Sequence, residues 1–93
     1  MKSSTSIYTA ESKRIAKRLL NHWKHKFDVK ETADEMTIFM PDSTVLLMPK
    51  TETLDVVIDT QRTDFAAMEK VVIDHLNRMA QQQFEANWQH QAG

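Results

Sequence analysis

Three histidines are the residues of this sequence best suited to chemistry. His22 and His25 lie three apart in the run His22-Trp23-Lys24-His25, and His75 lies much further along the chain. Histidine titrates near neutral pH and is the commonest metal ligand in proteins. These residues could therefore bind a metal or haem, or transfer protons. The alternative is structural: His22 and His75 hydrogen-bond at the edge of the core, and His25 is solvated near a helix C-terminus, where a cation is favoured.

An amphipathic helix positions His22 and His25. It is expected to run from a cap at Thr9 to about His25, because a side-chain hydroxyl can accept from a free backbone N–H of the first turn. Successive residues of a helix are separated by about 100° around its axis. This rotation places Trp23 inside the apolar stripe, His22 at its edge and His25 nearly opposite its centre. The stripe recurs at three- and four-residue spacing and consists of Ile15, Ala16, Leu19, Leu20, Trp23 and Phe27.

A second amphipathic helix carries His75. Thr63 or Asp64 is its expected N-cap, and its apolar stripe is formed by Phe65, Met68, Val72, Leu76 and Met79. His75 flanks that stripe. If the two helices pack side by side, His22 and His75 can approach each other. We therefore predict His22 and His75 as a pair of metal ligands. A metal site needs three or four ligands, so His25 is considered as a third ligand or as a gate.

Between the helices the apolar residues alternate with polar ones, as in strands with one buried face. Four such runs occupy residues 27–29, 36–40, 45–48 and 54–58, and short connections favour antiparallel pairing. The sequence predicts a single α+β domain over 1–93: an antiparallel meander of about four strands with two helices packed on one face. Short strands at 5–8 and 84–89 are further candidates, with a continued helix as the alternative for 84–89. Residues 1–6 are expected to be a flexible tail.

Composition excludes several classes of mechanism. The absence of cysteine removes disulfides, thiol nucleophiles and cysteine-based metal sites. Gly93 is the only glycine, so neither a glycine-rich phosphate loop nor a glycine-flanked nucleophile elbow can form. Left-handed turns are expected to use Asn or Asp, or to be avoided. No apolar run approaches the roughly 20 residues of a membrane span, and the polar N-terminus does not resemble a signal peptide. We expect a soluble, cytoplasmic protein.

Charge divides the chain in two. Residues 1–30 hold eight Lys and Arg against two acids, whereas residues 31–93 hold four against eleven. Such a split can steer a charged partner, or the two parts can attract each other within the fold or between copies. Nucleic acid is not an expected partner, because Trp23 and Phe27 lie on the buried stripe and cannot offer a stacking surface. Trp88 on a terminal edge strand could support a homodimer or pack into the monomer core.

Two sequence runs resemble the signatures of a bacterial family of unknown function, number 2218 in the DUF series. The first contains His22-Trp23-Lys24-His25-Lys26-Phe27-Asp28-Val29, and the second contains Asp74-His75-Leu76-Asn77-Arg78. Trp88 matches a tryptophan near the C-terminus of that family. The sequence departs from the family in its turns, which lack glycine, and at 81–83, where three glutamines replace the usual charged residues.

The resemblance implies a compact α+β domain but no activity, since the family has none established. Similar domains are fused to siderophore-interacting flavin reductases, which suggests iron handling and a siderophore-reductase-type partner. The leading hypothesis is a non-enzymatic accessory or binding domain. Its rivals are an enzyme or cofactor binder and a structural homodimerisation module; no particular cofactor is implied. The candidate binding residues are His22, Trp23, His25, His75 and Arg78.

Overall fold

The computed structural model describes residues 1–92, in which six strands form one antiparallel sheet with two helices on one face. The order of the strands across the sheet is β2-β3-β4-β5-β1-β6. Along the chain the elements are β1 (Lys2–Tyr8), α1 (Ser12–Trp23), β2 (Asp28–Glu31), β3 (Met36–Met40), β4 (Ser43–Pro49), β5 (Thr53–Thr60), α2 (Phe65–Ala80) and β6 (Gln89–Gln91). The α+β class and the two helices are therefore as predicted.

The core lies between the helices and the central strands. Val45 pairs with Ile58 and Leu47 pairs with Val56, so that the apolar residues of β4 and β5 share the face beneath the helices. All four side chains in this group are fully buried. The predicted stripes of both helices close the core from above, through Ile15, Ala16, Leu19, Leu20, Trp23, Met68, Val72 and Leu76.

The number of strands and the predicted tail need correction. Six strands are present in residues 1–92, more than the four or so expected. Residues 1–6 are not a flexible tail, because β1 begins at Lys2 and pairs with β5 over seven residues. Ser3 and Thr5 occupy its buried face, and neither hydroxyl finds a hydrogen-bond partner within residues 1–92. The predicted candidate strand at 5–8 is the second half of β1, whereas small polar residues at inward positions left its first half without an apolar signal.

The C-terminal segment also differs from the prediction. Residues 83–88 are irregular, and the last strand is Gln89–Gln91, which pairs with the start of β1. Neither the strand at 84–89 nor the continued helix is correct. Phe84 and Trp88 instead pack against the core as half-buried side chains. They hold the irregular segment 83–88, which we call the strap, against the rest of the fold.

Helix ends were only partly predicted. Thr9 does not cap α1: its Oγ1 accepts from the backbone N–H of Glu11, and the helix begins at Ser12, whose hydroxyl donates to the carbonyl of Lys50. Asp64 holds the N-cap position of α2 but makes no capping hydrogen bond. The left-handed residue that ends α2 is Gln81, with φ of 56°, whereas Asn or Asp was expected.

The two helices run antiparallel. β1 and β5 are antiparallel neighbours in which Tyr8 pairs with Thr53 and Lys2 pairs with Asp59. Helix α1 follows the Tyr8 end of β1, and α2 follows the opposite end of the sheet, after Thr60. The two helices therefore start at opposite ends of the sheet and cross the same face in opposite directions. The C-terminal part of α1 therefore meets α2 along a shared flank.

Candidate functional site

The flank where the helices meet carries most of the predicted site residues. We call it the helix seam and define it as Arg18, His22 and Trp23 on α1 with Val71, His75 and Arg78 on α2. The ring centroids of His22 and His75 are 5.5 Å apart with planes tilted by 48°. The predicted approach of these two histidines is therefore confirmed.

Trp23 forms the floor of the seam. The residue is 5% exposed, its ring centroid lies 4.9 Å from that of His75, and its ring meets that of Phe27 edge-on at a centroid distance of 6.4 Å. Aromatic pairs at such separations contribute beyond their buried area. The indole thus links the imidazole pair to the core, which fixes the position of His75 from below.

The hydrogen bond of His75 determines which ring nitrogen remains available. Its Nδ1 lies 2.7 Å from the carbonyl oxygen of Val71, one helical turn earlier. A carbonyl only accepts, so Nδ1 must carry the proton and donate. In the neutral ring the lone pair is then on Nε2. His22 is exposed, and its ring makes no hydrogen bond within residues 1–92. The pair can therefore offer two imidazole nitrogens to a ligand.

His25 stands apart from this pair, whereas Arg78 lies about one turn beyond His75 on α2. Helix α1 ends at Trp23, so His25 lies in the following turn, where it is exposed. Arg78 is exposed on α2 and lines an open depression of about 600 Å³ with Asp74, Asn77 and residues 81–83. Within residues 1–92, no three His, Asp or Glu side chains are grouped as a metal site requires. The structure thus brings His22 and His75 together without His25 as a third ligand.

A fourth histidine, which no sequence pattern singles out, lies on β6 against the other flank of α2. His90 Nε2 lies 2.5 Å from Glu69 Oε2, and its ring centroid is 5.1 Å from that of Phe65. We call these three residues the C-terminal clasp. The Glu69 side chain is only 11% exposed and that of His90 39%. His90 sits in the polar run Gln89-His90-Gln91, which carries no apolar signal in the sequence.

An exposed ion pair stands at the start of α2. Arg62 donates from Nε and Nη2 to the two carboxylate oxygens of Asp64, both at 2.7 Å. The side-chain hydrogen bond from Arg62 lowers the pKa of Asp64, and the same bond raises the pKa of Arg62. Because the Asp64 carboxylate is committed to Arg62, it does not cap the helix.

Comparison with known proteins places the chain in a family. A family model described as "Uncharacterized protein conserved in bacteria (DUF2218)" matches residues 4–89. The chain belongs to this family. The family match and the resemblance drawn from the two sequence runs therefore agree.

A solved structure shares the fold. The NMR structure of PA4090 from Pseudomonas aeruginosa is 33% identical in sequence, with a TM-score of 0.80. The match covers 95% of this chain and 94% of that one.

A search of curated proteins finds no match. No helix within residues 1–92 combines the length and apolarity needed to cross a membrane.

Proposed function

We propose that this member of DUF2218 is a small non-enzymatic binding domain whose ligand binds at the helix seam. The observation that supports the proposal is the meeting of His22 and His75 over a buried tryptophan. Two rigid helices hold the imidazoles, which suits a preorganised binding surface. Within residues 1–92 neither imidazole bonds a carboxylate that would orient it as a general base, so the geometry supports binding more strongly than catalysis.

The ligand class that fits the imidazole pair is a metal chelate. Imidazole nitrogen suits iron, copper, nickel and zinc, but two histidines leave the remaining coordination positions to other donors. A siderophore or similar chelator supplies those donors itself. The family resemblance, through its fused siderophore-interacting flavin reductases, favours iron as the metal and a siderophore reductase as the partner. Haem bound through His22 and His75 is the alternative within the same class.

Trp23 provides the signal for a direct test. The purified protein is titrated with a ferric hydroxamate siderophore, a ferric catecholate siderophore, haem and Zn²⁺, while the fluorescence of Trp23 is followed in a Trp88→Phe background. We expect saturable quenching by at least one iron chelate at micromolar concentration. His22→Ala and His75→Ala should each weaken that binding about tenfold or more, corresponding to about 1.4 kcal/mol.

His25→Ala is the matched control, because His25 belongs to the same sequence run but lies outside the helix seam. It should leave the affinity unchanged. If none of the four titrants changes the Trp23 fluorescence, or if His25→Ala weakens binding as much as His22→Ala, the proposed function is wrong.

The helix-free face of the sheet favours a second candidate function, homodimerisation. Leu46 pairs with Val57 at its centre, and Phe39 beside them is 45% exposed. The row through Phe39 starts at Asp28 on edge strand β2 and crosses Thr44 and Asp59 before it reaches Lys2 on β1. A two-fold axis parallel to the strands would lay this face of one copy against the same face of the other.

Light scattering after size exclusion tests the dimer. We expect a concentration-dependent dimer that Phe39→Lys or Leu46→Lys converts to monomer, whereas Val71→Lys on the helix seam leaves it intact. A monomer of 10.8 kDa at millimolar concentration would contradict the dimerisation function without bearing on the helix seam.

A further inference from the structure

We infer that the helix seam binds a small oxyanion with two or more carboxylate or phosphate groups, which Arg18 and Arg78 hold beside the imidazole pair. This inference deepens the proposed function and rests on it, because it names the chemistry of the ligand that the seam takes. A metal chelate rich in carboxylates would fit the whole seam, because the imidazoles would face its metal and the guanidinium groups would face its carboxylate oxygens.

Arg18 lies on the flank of α1 that faces α2. It precedes His22 by one turn, and at about 100° per residue the two side chains are separated by only about 40° around the helix axis. The opposite flank of α1 faces the sheet edge, since Lys17 Nζ lies 2.5 Å from Glu31 of β2. The contact between His22 and His75 then fixes the flank of Arg18 as the one beside α2.

Arg78 occupies the corresponding place on α2. It follows His75 by three positions, close to one turn, and is exposed on the same flank as Val71. Because the helices run antiparallel, a step backward from His22 and a step forward from His75 lead in the same direction along the seam. Arg18 and Arg78 therefore lie on the same side of the imidazole pair.

The two guanidinium groups are free of internal partners in the described part of the chain. Within residues 1–92, neither Arg18 nor Arg78 takes part in an ion pair or a side-chain hydrogen bond. The acids nearest in sequence are engaged elsewhere: Asp74 pairs with Lys70 at 2.9 Å, and Glu11 pairs with Arg14 at 3.3 Å. Asp74 lines the same depression as Arg78, but its carboxylate is paired with Lys70, so neither guanidinium group has an ion-pair partner within residues 1–92.

The donor set determines the ligand class. A guanidinium group presents a planar fork of N–H donors that matches the oxygens of a carboxylate or phosphate. Two such forks beside two imidazoles favour a compact molecule with several anionic groups over a monovalent anion. Val71, which is 41% exposed, adds an apolar surface for the carbon skeleton of such a ligand.

Metal-free probes separate this inference from the proposed function. The folded protein is titrated by calorimetry with citrate, with pyrophosphate and with acetate, at low ionic strength and in the presence of a chelator that removes metal. We expect citrate or pyrophosphate to bind, acetate not to bind measurably, and added salt to weaken the binding. Citrate and pyrophosphate distinguish a carboxylate ligand from a phosphate ligand.

Variants locate the site. Arg18→Gln and Arg78→Gln should each weaken anion binding about tenfold, the size of one charge-assisted hydrogen-bond pair. Lys24→Gln makes the same charge change at the C-cap of α1, on the side away from the helix seam, and should alter the affinity less than about twofold, by charge screening alone. Circular dichroism confirms that all three variants fold.

The outcomes are separable. If neither polyanion binds, or if Lys24→Gln weakens binding as much as Arg18→Gln, the inference is overturned. If iron chelates bind in a manner that depends on His22 and His75 but not on the two arginines, the inference fails and the proposed function stands. If citrate binds through the arginines but no iron chelate binds, the oxyanion site stands and the iron-chelate function fails.

Discussion

The two flanks of α2 hold histidines in contrasting environments. On the helix seam, His75 bonds only its own helix backbone and rests on the rings of Trp23 and His22. At the C-terminal clasp, His90 is held by the carboxylate of Glu69 and by the ring of Phe65. A histidine with a buried carboxylate partner serves to fix the chain, whereas one with an unused nitrogen can still serve a ligand. The seam is therefore the candidate for function and the clasp is the candidate for stability.

Trp23→Ala should have the largest effect, because the indole belongs to the core as well as to the seam. We expect a loss of about 3–5 kcal/mol in the free energy of unfolding, measured by urea denaturation. Trp88→Ala is the matched control: this tryptophan is half-buried on the strap and should lose less. If the two variants are equally destabilised, Trp23 is not the anchor that joins the imidazole pair to the core.

His90→Ala comes next and tests the clasp. It leaves the Glu69 carboxylate buried without its partner, which costs about 1–3 kcal/mol. Combining it with Glu69→Met should recover part of the loss, because removing both partners removes the unsatisfied group. Hydrogen exchange should show faster exchange at Gln89–Gln91 in the single variant. Unchanged stability and exchange would contradict a structural role for the clasp.

His22→Ala and His75→Ala should each lower the stability less than His90→Ala does, although all three histidines contact another aromatic ring. Each removes ring contacts and at most one neutral hydrogen bond, so we expect a loss below about 1 kcal/mol, again by urea denaturation. Binding, in contrast, should fall as described for the helix seam. A loss of stability as large as that of His90→Ala would show that the seam histidines are structural, and the contrast between the flanks would disappear.

Arg62→Gln addresses the exposed pair before α2 and should have the smallest effect. Loss of the hydrogen bond from Arg62 should let the pKa of Asp64 rise towards its ordinary value, as NMR titration of the carboxyl carbon would show. Since the folded-state pKa of Asp64 lies below the unfolded value, its contribution to stability is present above the unfolded pKa and is lost as pH falls through the folded pKa. An unchanged Asp64 titration in the variant would contradict this account.

The sequence predicted the seam better than the clasp, for a physical reason. Helical periodicity places side chains around an axis, so the edge positions of His22 and His75 followed from the apolar stripes once the helices were paired. Pairing of β6 with β1 depends on backbone hydrogen bonds between polar segments, and alternation of apolar residues cannot reveal it. Ser3 and Gln89 illustrate this: neither carries an apolar signal, yet both lie in paired strands.

Helix ends were the least predictable feature, because local competition decides them. Asp64 could cap α2 or pair with Arg62, and the bidentate ion pair prevails. Gln81 takes the left-handed position because two backbone hydrogen bonds close the helix there, from Gln81 to Arg78 and from Gln82 to Asn77. The residue type alone does not reveal either outcome.

The most direct test of the central claim is an NMR titration that observes all four imidazoles at once. Long-range ¹⁵N–¹H spectra assign the ring nitrogens of His22, His25, His75 and His90. Gallium(III) replaces iron(III) in the siderophore so that the spectra stay free of paramagnetic broadening. The account predicts that saturating ligand shifts the ring nitrogens of His22 and His75, including Nε2 of His75, while those of His90 keep their positions. Shifts confined to His90, or to none of the four, would contradict it.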